Sequence, residues 1–233
     1  MLTKLAVAKN TINKPARRRR KEARPSELID AAVELFTAKG YAATRSADIA
    51  ARAGVSKATL YLYFEDKKAL FKEVITQGVV PIIDEGAHLI DDYKGSSSEL
   101  LREILIHWQI RFSASPLSGI PKLMISEASN FPELAAYHEQ VAYGRARQLL
   151  GRVVDRGVAQ GEFRELNREA VVELLIAPLL LHFIWSHSMG SIGCPTIEPK
   201  TYLTTHLDLI LAGLAAQPSK ALASPKPRKT ARG

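Results

Sequence analysis

Apolar residues recur at helical spacing along most of the chain. In PSELIDAAVELFTAKG they fall at Leu28, Ile29, Ala32, Val33, Leu35 and Phe36, the stripe of an amphipathic helix. Pro25 suits the first turn of that helix, and Gly40 suits the position just past its end. Residues 46–75 then read as three short helical pieces, with Ser46, Ser56 and Asp66 as their N-caps. Longer helices are predicted near 79–92, 97–114, 117–129, 132–160, 167–188 and 199–216. Breaks are expected at Lys94–Ser98, at Pro116, at Phe131-Pro132, at Gly161 and around 190–199. Pro178 lies inside an otherwise helical stretch and should kink or interrupt it. No run alternates as a strand does and no repeat period is visible, so the fold class is all-α.

Charge changes this picture at both ends. Residues 1–24 carry nine Lys or Arg against one acid, and residues 217–233 carry five against none. Residues 74–216 carry eleven against sixteen. A mildly acidic body with basic ends points to a polyanionic partner. Residues 1–23, holding Arg17-Arg18-Arg19-Arg20-Lys21, are expected to form a flexible basic arm, and 217–233 a disordered basic tail. The one cysteine, Cys194, rules out an intrachain disulfide framework. The patch Leu5–Ala8 is too short for a secretory core, and the run Leu174–Trp185, broken by Pro178 and His182, is too short for a membrane span. A cytoplasmic protein that does not enter the membrane is the expectation.

The stretch from Ile49 to Phe64 carries the chemistry. Two short helices that cross steeply need a small residue at their contact, and Ala50 supplies it. The turn needs a residue that tolerates positive φ, which is Gly54, and an apolar plug after it, which is Val55. Leu60 and Phe64 stand four apart on the inward side of the second helix. Lys57, Thr59, Tyr61 and Tyr63 give its outward side donors, a methyl group and aromatic hydroxyls for a DNA groove.

At these residues the chain resembles the TetR family of transcriptional regulators. The resemblance runs over about residues 25–72: Leu35-Phe36 with Gly40-Tyr41, Thr44, Ile49-Ala50, Gly54-Val55-Ser56, Thr59-Leu60-Tyr61, Tyr63-Phe64 and Lys67 with Leu70. Glu127 with Phe131-Pro132-Glu133-Leu134 looks like an element of the family's larger domain. The resemblance implies a three-helix DNA-binding domain over 24–72 and an effector-binding and dimerisation domain over 73–216. It also implies roles for single residues. Ser46 and Ala47 open the helix that crosses the groove. Lys57, Ala58 and Thr59 face base edges, with Ala58 limited to apolar contact such as a thymine methyl. Tyr61 and Tyr63 touch phosphates or bases at the groove wall. Thr44 and Lys67 bind phosphate, Lys67 beside the start of the next helix.

For the larger domain the resemblance implies a homodimer built on the helices near 167–188 and 199–216, whose broad apolar faces exceed what one core needs. It also implies a pocket for a small effector. Polar or aromatic residues on apolar helices are the candidates for its lining: His107, Trp108, Arg111, Phe112, Met124, Glu127, Tyr137, Tyr143, His182 and Trp185. That mixture favours a hydrophobic or aromatic effector.

Signals for catalysis, cofactors and metals are absent. His182 and His187 stand five apart, Cys194 has no CxxC partner, and there is no P-loop or nucleophile elbow. The expectation is a ligand-responsive regulator, not an enzyme, that binds a palindromic double-stranded operator as a dimer, represses, and is released by its effector. The competing reading is a non-specific nucleic-acid binder acting through its basic ends, which competition with unrelated DNA separates.

Overall fold

The computed structural model describes residues 15–216, with side chains from Arg24 onward except that of Asp91. The expected tail at 217–233 and the first fourteen residues of the expected arm lie outside the described residues.

Helix α1 (Pro15–Lys39) begins ten residues before Pro25, so Pro25 sits in its interior and not in its first turn. The preceding ARRRRKEAR consists of strong helix formers, whose propensity outweighs the one backbone bond that Pro25 cannot make. Residues 15–23 of the expected arm are therefore helical. Leu28, Ala32 and Phe36 bury the inner face completely. The helix stops at Gly40, whose φ of 86° and amide bond to the Phe36 carbonyl (2.9 Å) end it.

Three short helices follow: α2 (Ser46–Arg52), α3 (Lys57–Tyr61) and α4 (Lys67–Glu73). Ser46 is the first helical residue of α2 and not its cap. Arg45 precedes it, and the Asp48 carboxylate accepts the Arg45 amide instead (3.4 Å). Ser56 and Asp66 do cap, accepting the amides of Thr59 (3.1 Å) and Ala69 (2.7 Å).

The break expected before residue 79 does not occur. A π-helical segment, Val74–Val79, carries α4 directly into α5 (Val80–Asp92). Val74, Ile75 and Val79 are buried, so packing holds the chain helical through this stretch. The larger domain continues with α6 (Ser97–Ser113), a 3-10 turn at Pro116–Gly119, α7 (Ile120–Glu127) and α8 (Pro132–His138). A second π segment, Glu139–Tyr143, leads into α9 (Gly144–Ala159). The last two helices are α10 (Arg168–Ser188) and α11 (Pro199–Leu214). Among the described residues there is no named strand. One isolated bridge, Phe163 with Ala215, ties the end of α11 to the turn after α9.

Helix α10 runs through Pro178 without interruption, and the Tyr202 hydroxyl of α11 donates to the Pro178 carbonyl (3.1 Å). By length and hydropathy alone α10 is apolar enough to cross a membrane. Much of that apolar surface is spent inside: Val171, Leu175, Leu179 and Phe183 on α10, with Leu203, Leu207 and Leu214 on α11, close the subunit's own core. Leu174, Leu181 and Trp185 on α10 and Leu209 on α11 stay exposed.

The two domains share one core. Phe36 and Phe71 from the first meet Tyr41, whose ring lies 5.3 Å and 5.6 Å from them and 4.7 Å from Phe131 at the start of α8. Phe71 is fully buried in this cluster. Phe71→Ala should cost about 3–5 kcal/mol in denaturant unfolding, lost transfer energy and cavity together, and should lower the melting temperature of both domains as one transition.

Candidate nucleic-acid interface and ligand cavity

The turn between α2 and α3 is built as its residues require. Gly54 has φ of 67°, and the Val55 amide returns to the Ala50 carbonyl (2.9 Å). Ile49, Ala50 and Leu60 are buried where the two helices cross. With that side occupied, α3 turns its other side outward. Lys57 and Ala58 are exposed, Tyr61 is 43% exposed and Leu62 is 82% exposed. The Lys57 ammonium sits 5.6 Å from the Tyr61 ring centroid, so cation and aromatic form one outward-facing unit. Ala47 is exposed and Ser46 partly so at the start of α2. The Thr59 hydroxyl is shared with the Ser56 cap (2.9 Å), and Tyr63 is half-buried beside Pro25 and Phe64. Arg45 and Leu62, both exposed next to this surface, were passed over by the motif, which weights donors and fixed positions.

Two expected phosphate ligands face inward. Thr44 is 1% exposed, and its hydroxyl binds the Gly40 carbonyl (2.7 Å), with Leu35 carbonyl close by (3.2 Å). Its side chain is a strut under the turn, away from solvent. Lys67 donates to the carbonyls of Tyr41 (2.7 Å) and Thr44 (2.9 Å) and lies 4.2 Å from the Tyr41 ring centroid. Burial lowers its pKa, and the Glu127 carboxylate opposes that shift. Two of its three N–H donors thus satisfy the turn after α1, and one remains beyond them.

In the larger domain an apolar cavity of about 390 Å³ opens between α5, α6, α7, the second π segment and α10. Both π segments border it, through Val79 on one side and Glu139, Ala142 and Tyr143 on the other. A wider helical turn at these places is a familiar way of making room for a site. Of the expected lining residues, Trp108, Phe112, Met124 and Tyr143 reach this cavity.

The remaining candidates are placed elsewhere. His107 and Arg111 both bind the Glu85 carboxylate on the outer surface (2.8 and 3.0 Å). His182 is buried against Tyr202, rings stacked at 4.7 Å. Trp185 is exposed and donates to the Pro195 carbonyl (3.3 Å). The Tyr137 hydroxyl pairs with Thr76 (2.7 Å). Helical register decides these placements, because residues three or four apart share a face only where the neighbouring helix lies on that face. His138 and Glu139 line the cavity and were not anticipated. His138 stands four residues after the buried Leu134, on the same helical face, which was the signal that could have found it.

Glu127 lies 8% exposed at the end of α7, and it is not a lining residue. Its carboxylate accepts the amide of Ala42 (3.1 Å), in the turn after α1. Gly40 makes that approach possible, since a Cβ there would stand 3.1 Å from Glu127 Oε1. The helix carrying cavity residues Ile120, Pro121, Met124 and Ile125 is thus bonded directly to the DNA-binding domain. The ion pair Lys68–Glu133 (2.8 Å) and the Thr76–Tyr137 bond make two further ties between α4 with its π extension and α8.

An exposed, capped second helix of a helix-turn-helix, joined to a helical domain with an apolar cavity, defines a DNA-binding transcriptional regulator with a ligand-binding domain. Residues 28–74 match the family model for bacterial regulatory proteins of the tetR family, and residues 94–191 match that for the tetracyclin repressor-like C-terminal domain. The chain belongs to the TetR family. It is 24% identical over 218 residues to the HTH-type transcriptional repressor KstR2 of Rhodococcus jostii, covering 84% of this chain and 93% of that one. Its fold is similar to that of the transcriptional regulator FadR from Bacillus subtilis solved with stearoyl-CoA: TM-score 0.70, 21% identity, 81% of this chain and 98% of that one. It is also similar to that of SmeT in complex with triclosan: TM-score 0.67, 21% identity, 88% and 99% of the two chains.

His138 gives the cavity a measurable signature. Burial pushes its pKa down to about 4, so the folded protein resists protonation that the unfolded chain accepts near the ordinary value of about 6.5. The stability this provides is complete above pH 6.5 and is lost as pH falls through the window from there to about 4. The full loss is about 3 kcal/mol. Burial lowers His182, His187 and His206 in the same direction. Denaturant unfolding of wild type and His138→Phe at pH 7 and pH 4.5 isolates the His138 share: the variant should lose less stability on acidification.

Proposed function

We propose that this regulator is a cytoplasmic homodimer that binds a palindromic operator, represses, and lets go when an apolar effector enters the cavity. The observation that carries the reading is the pairing of two features in one subunit: an outward-facing α3, and a bond from Glu127 on the cavity's own helix to the turn that supports the DNA-binding domain. Lys57, Ala58, Thr59 and Tyr61 would meet base edges and the groove wall, and Ser46, Ala47 and Tyr63 would flank them. The nearby Arg45 and Leu62 join this set. In such a dimer two copies of α3 stand about 34–36 Å apart, one turn of DNA.

The exposed residues Leu174, Trp185 and Leu209 support the expected dimer contact on α10 and α11. They are apolar, they lie on neighbouring helices, and the subunit's own core does not use them. An effector that shifts α7 relative to α1 would move the two α3 helices off their spacing. It can do so only by its difference in affinity for the two arrangements. The cavity holds and senses its occupant in this reading and does not transform it. The neighbouring structures with stearoyl-CoA and triclosan support a small-molecule occupant, since each of those molecules carries a substantial apolar part.

The test is a mobility-shift assay with the intergenic DNA flanking the gene. A retarded band that resists unrelated competitor DNA, with a Kd of about 10⁻⁸ M or tighter, is expected. No retarded band at low salt would overturn the reading, and binding erased equally by any DNA would favour the non-specific alternative. Lys57→Ala should weaken operator binding by about 1–3 kcal/mol while leaving the melting temperature unchanged. Leu174→Asp should convert the dimer to monomer in sedimentation and abolish the retarded band with the fold intact, because a charge on that face has no partner across a symmetric contact.

A further inference from the structure

The polar side chains of the cavity are few, and they fall into two sets. Tyr143 donates its hydroxyl to Glu173 (2.8 Å), and Glu139 is ion-paired with Arg147. Arg147 also lies 3.7 Å from Glu173 and 5.1 Å from the Tyr143 ring centroid. One guanidinium is therefore shared by two carboxylates, and this wall is net negative. Trp108 and His138 form the second set. Both line the cavity, and neither makes a hydrogen bond with any described residue. The indole N–H can only donate, and the imidazole can donate from one nitrogen. The nitrogens of neither side chain are closed off inside the protein, so these donors are open to the cavity, and an occupant that displaces water from them without supplying an acceptor loses affinity.

Resting on the reading of this cavity as the effector site, we propose that it selects an uncharged, mostly apolar molecule carrying an oxygen that accepts from His138 and Trp108, and that it rejects the corresponding carboxylate. Size follows from the volume: about 390 Å³ filled at protein-interior density holds roughly 15–20 non-hydrogen atoms, the scale of two or three rings or a medium alkyl chain. Rejection of anions follows from charge. Among the described residues no Lys or Arg lines the cavity, and a buried carboxylate needs a cation. His138 does not supply it, because a group titrating near 4 is protonated about once in a thousand molecules at pH 7. The hydroxyl or carbonyl oxygen of a phenol, alcohol or ketone asks for no countercharge and accepts what Trp108 and His138 offer.

The experiment uses the full chain at pH 7.5 and calorimetric titration with two matched pairs, 4-phenylphenol against biphenyl-4-carboxylate and dodecan-1-ol against dodecanoate. The neutral member of each pair should bind at least tenfold tighter. His138→Phe, which keeps the cavity filled, should weaken the neutral members about tenfold, and His138→Gln, which restores an N–H, should recover most of that loss. Glu139→Gln frees Arg147 from one partner and should narrow the gap between the members of each pair. Equal or tighter binding of the carboxylates overturns the proposal, as does an unchanged affinity in His138→Phe or a failure of both pairs to bind. The mobility-shift assay run with the same probes separates the two levels. Carboxylates that bind and release DNA would overturn the selectivity and leave the effector site standing. Probes that bind the cavity without altering DNA binding would overturn the regulatory reading and leave the selectivity standing.

Discussion

The hydrogen bond from the Ala42 amide to the buried Glu127 carboxylate joins the Lys68–Glu133 and Thr76–Tyr137 pairs and the aromatic cluster around Tyr41 in making this molecule one body. It forms where the turn after α1 meets the end of α7, and everything around it is arranged to keep that turn in place. Lys67 holds the carbonyls of Tyr41 and Thr44, the Thr44 hydroxyl binds back to Gly40, and the Tyr41 ring is enclosed by Phe36, Phe71 and Phe131. A buried carboxylate is tolerable only with such donors and a nearby cation. Removing the partners would therefore strain both domains at once.

That arrangement gives two residues with the chemistry of DNA contacts a structural duty. Thr44 and Lys67 have the right groups for phosphate, but the turn they support is a link between ligand and DNA domains. A rigid turn transmits displacement, whereas a turn held only by solvent would absorb it. Lys57, Ala58, Tyr61 and Leu62 stay exposed, because Leu60 alone anchors α3 deeply.

The cavity has a comparable logic. Two π segments, each widening a helix by part of a turn, face the same space, and Trp108 and His138 line it without a hydrogen-bond partner among the described residues. Its other polar groups are tied together along the Glu139, Arg147, Glu173 and Tyr143 chain, where one guanidinium serves two carboxylates. An apolar space with a small, unsatisfied polar patch discriminates more sharply than a purely apolar one, because the wrong occupant leaves that patch unpaired.

Local pattern alone determined the helices, most of their limits and the helix-turn-helix, because periodicity, caps at Ser56 and Asp66 and the positive φ of Gly54 are properties of a few adjacent residues. Propensity also favoured the extension of α1 through Pro25, though the proline hid it. Tertiary structure decided what no window of sequence contains: that Thr44 and Lys67 turn inward, that α4 runs on into α5, that Glu127 binds Ala42 across 85 positions, and that His138 faces the cavity while His107, Arg111 and Trp185 do not. A side chain's chemistry is written in its residue type. Its partner depends on which helix packs against which face, and that is settled only when the whole core closes.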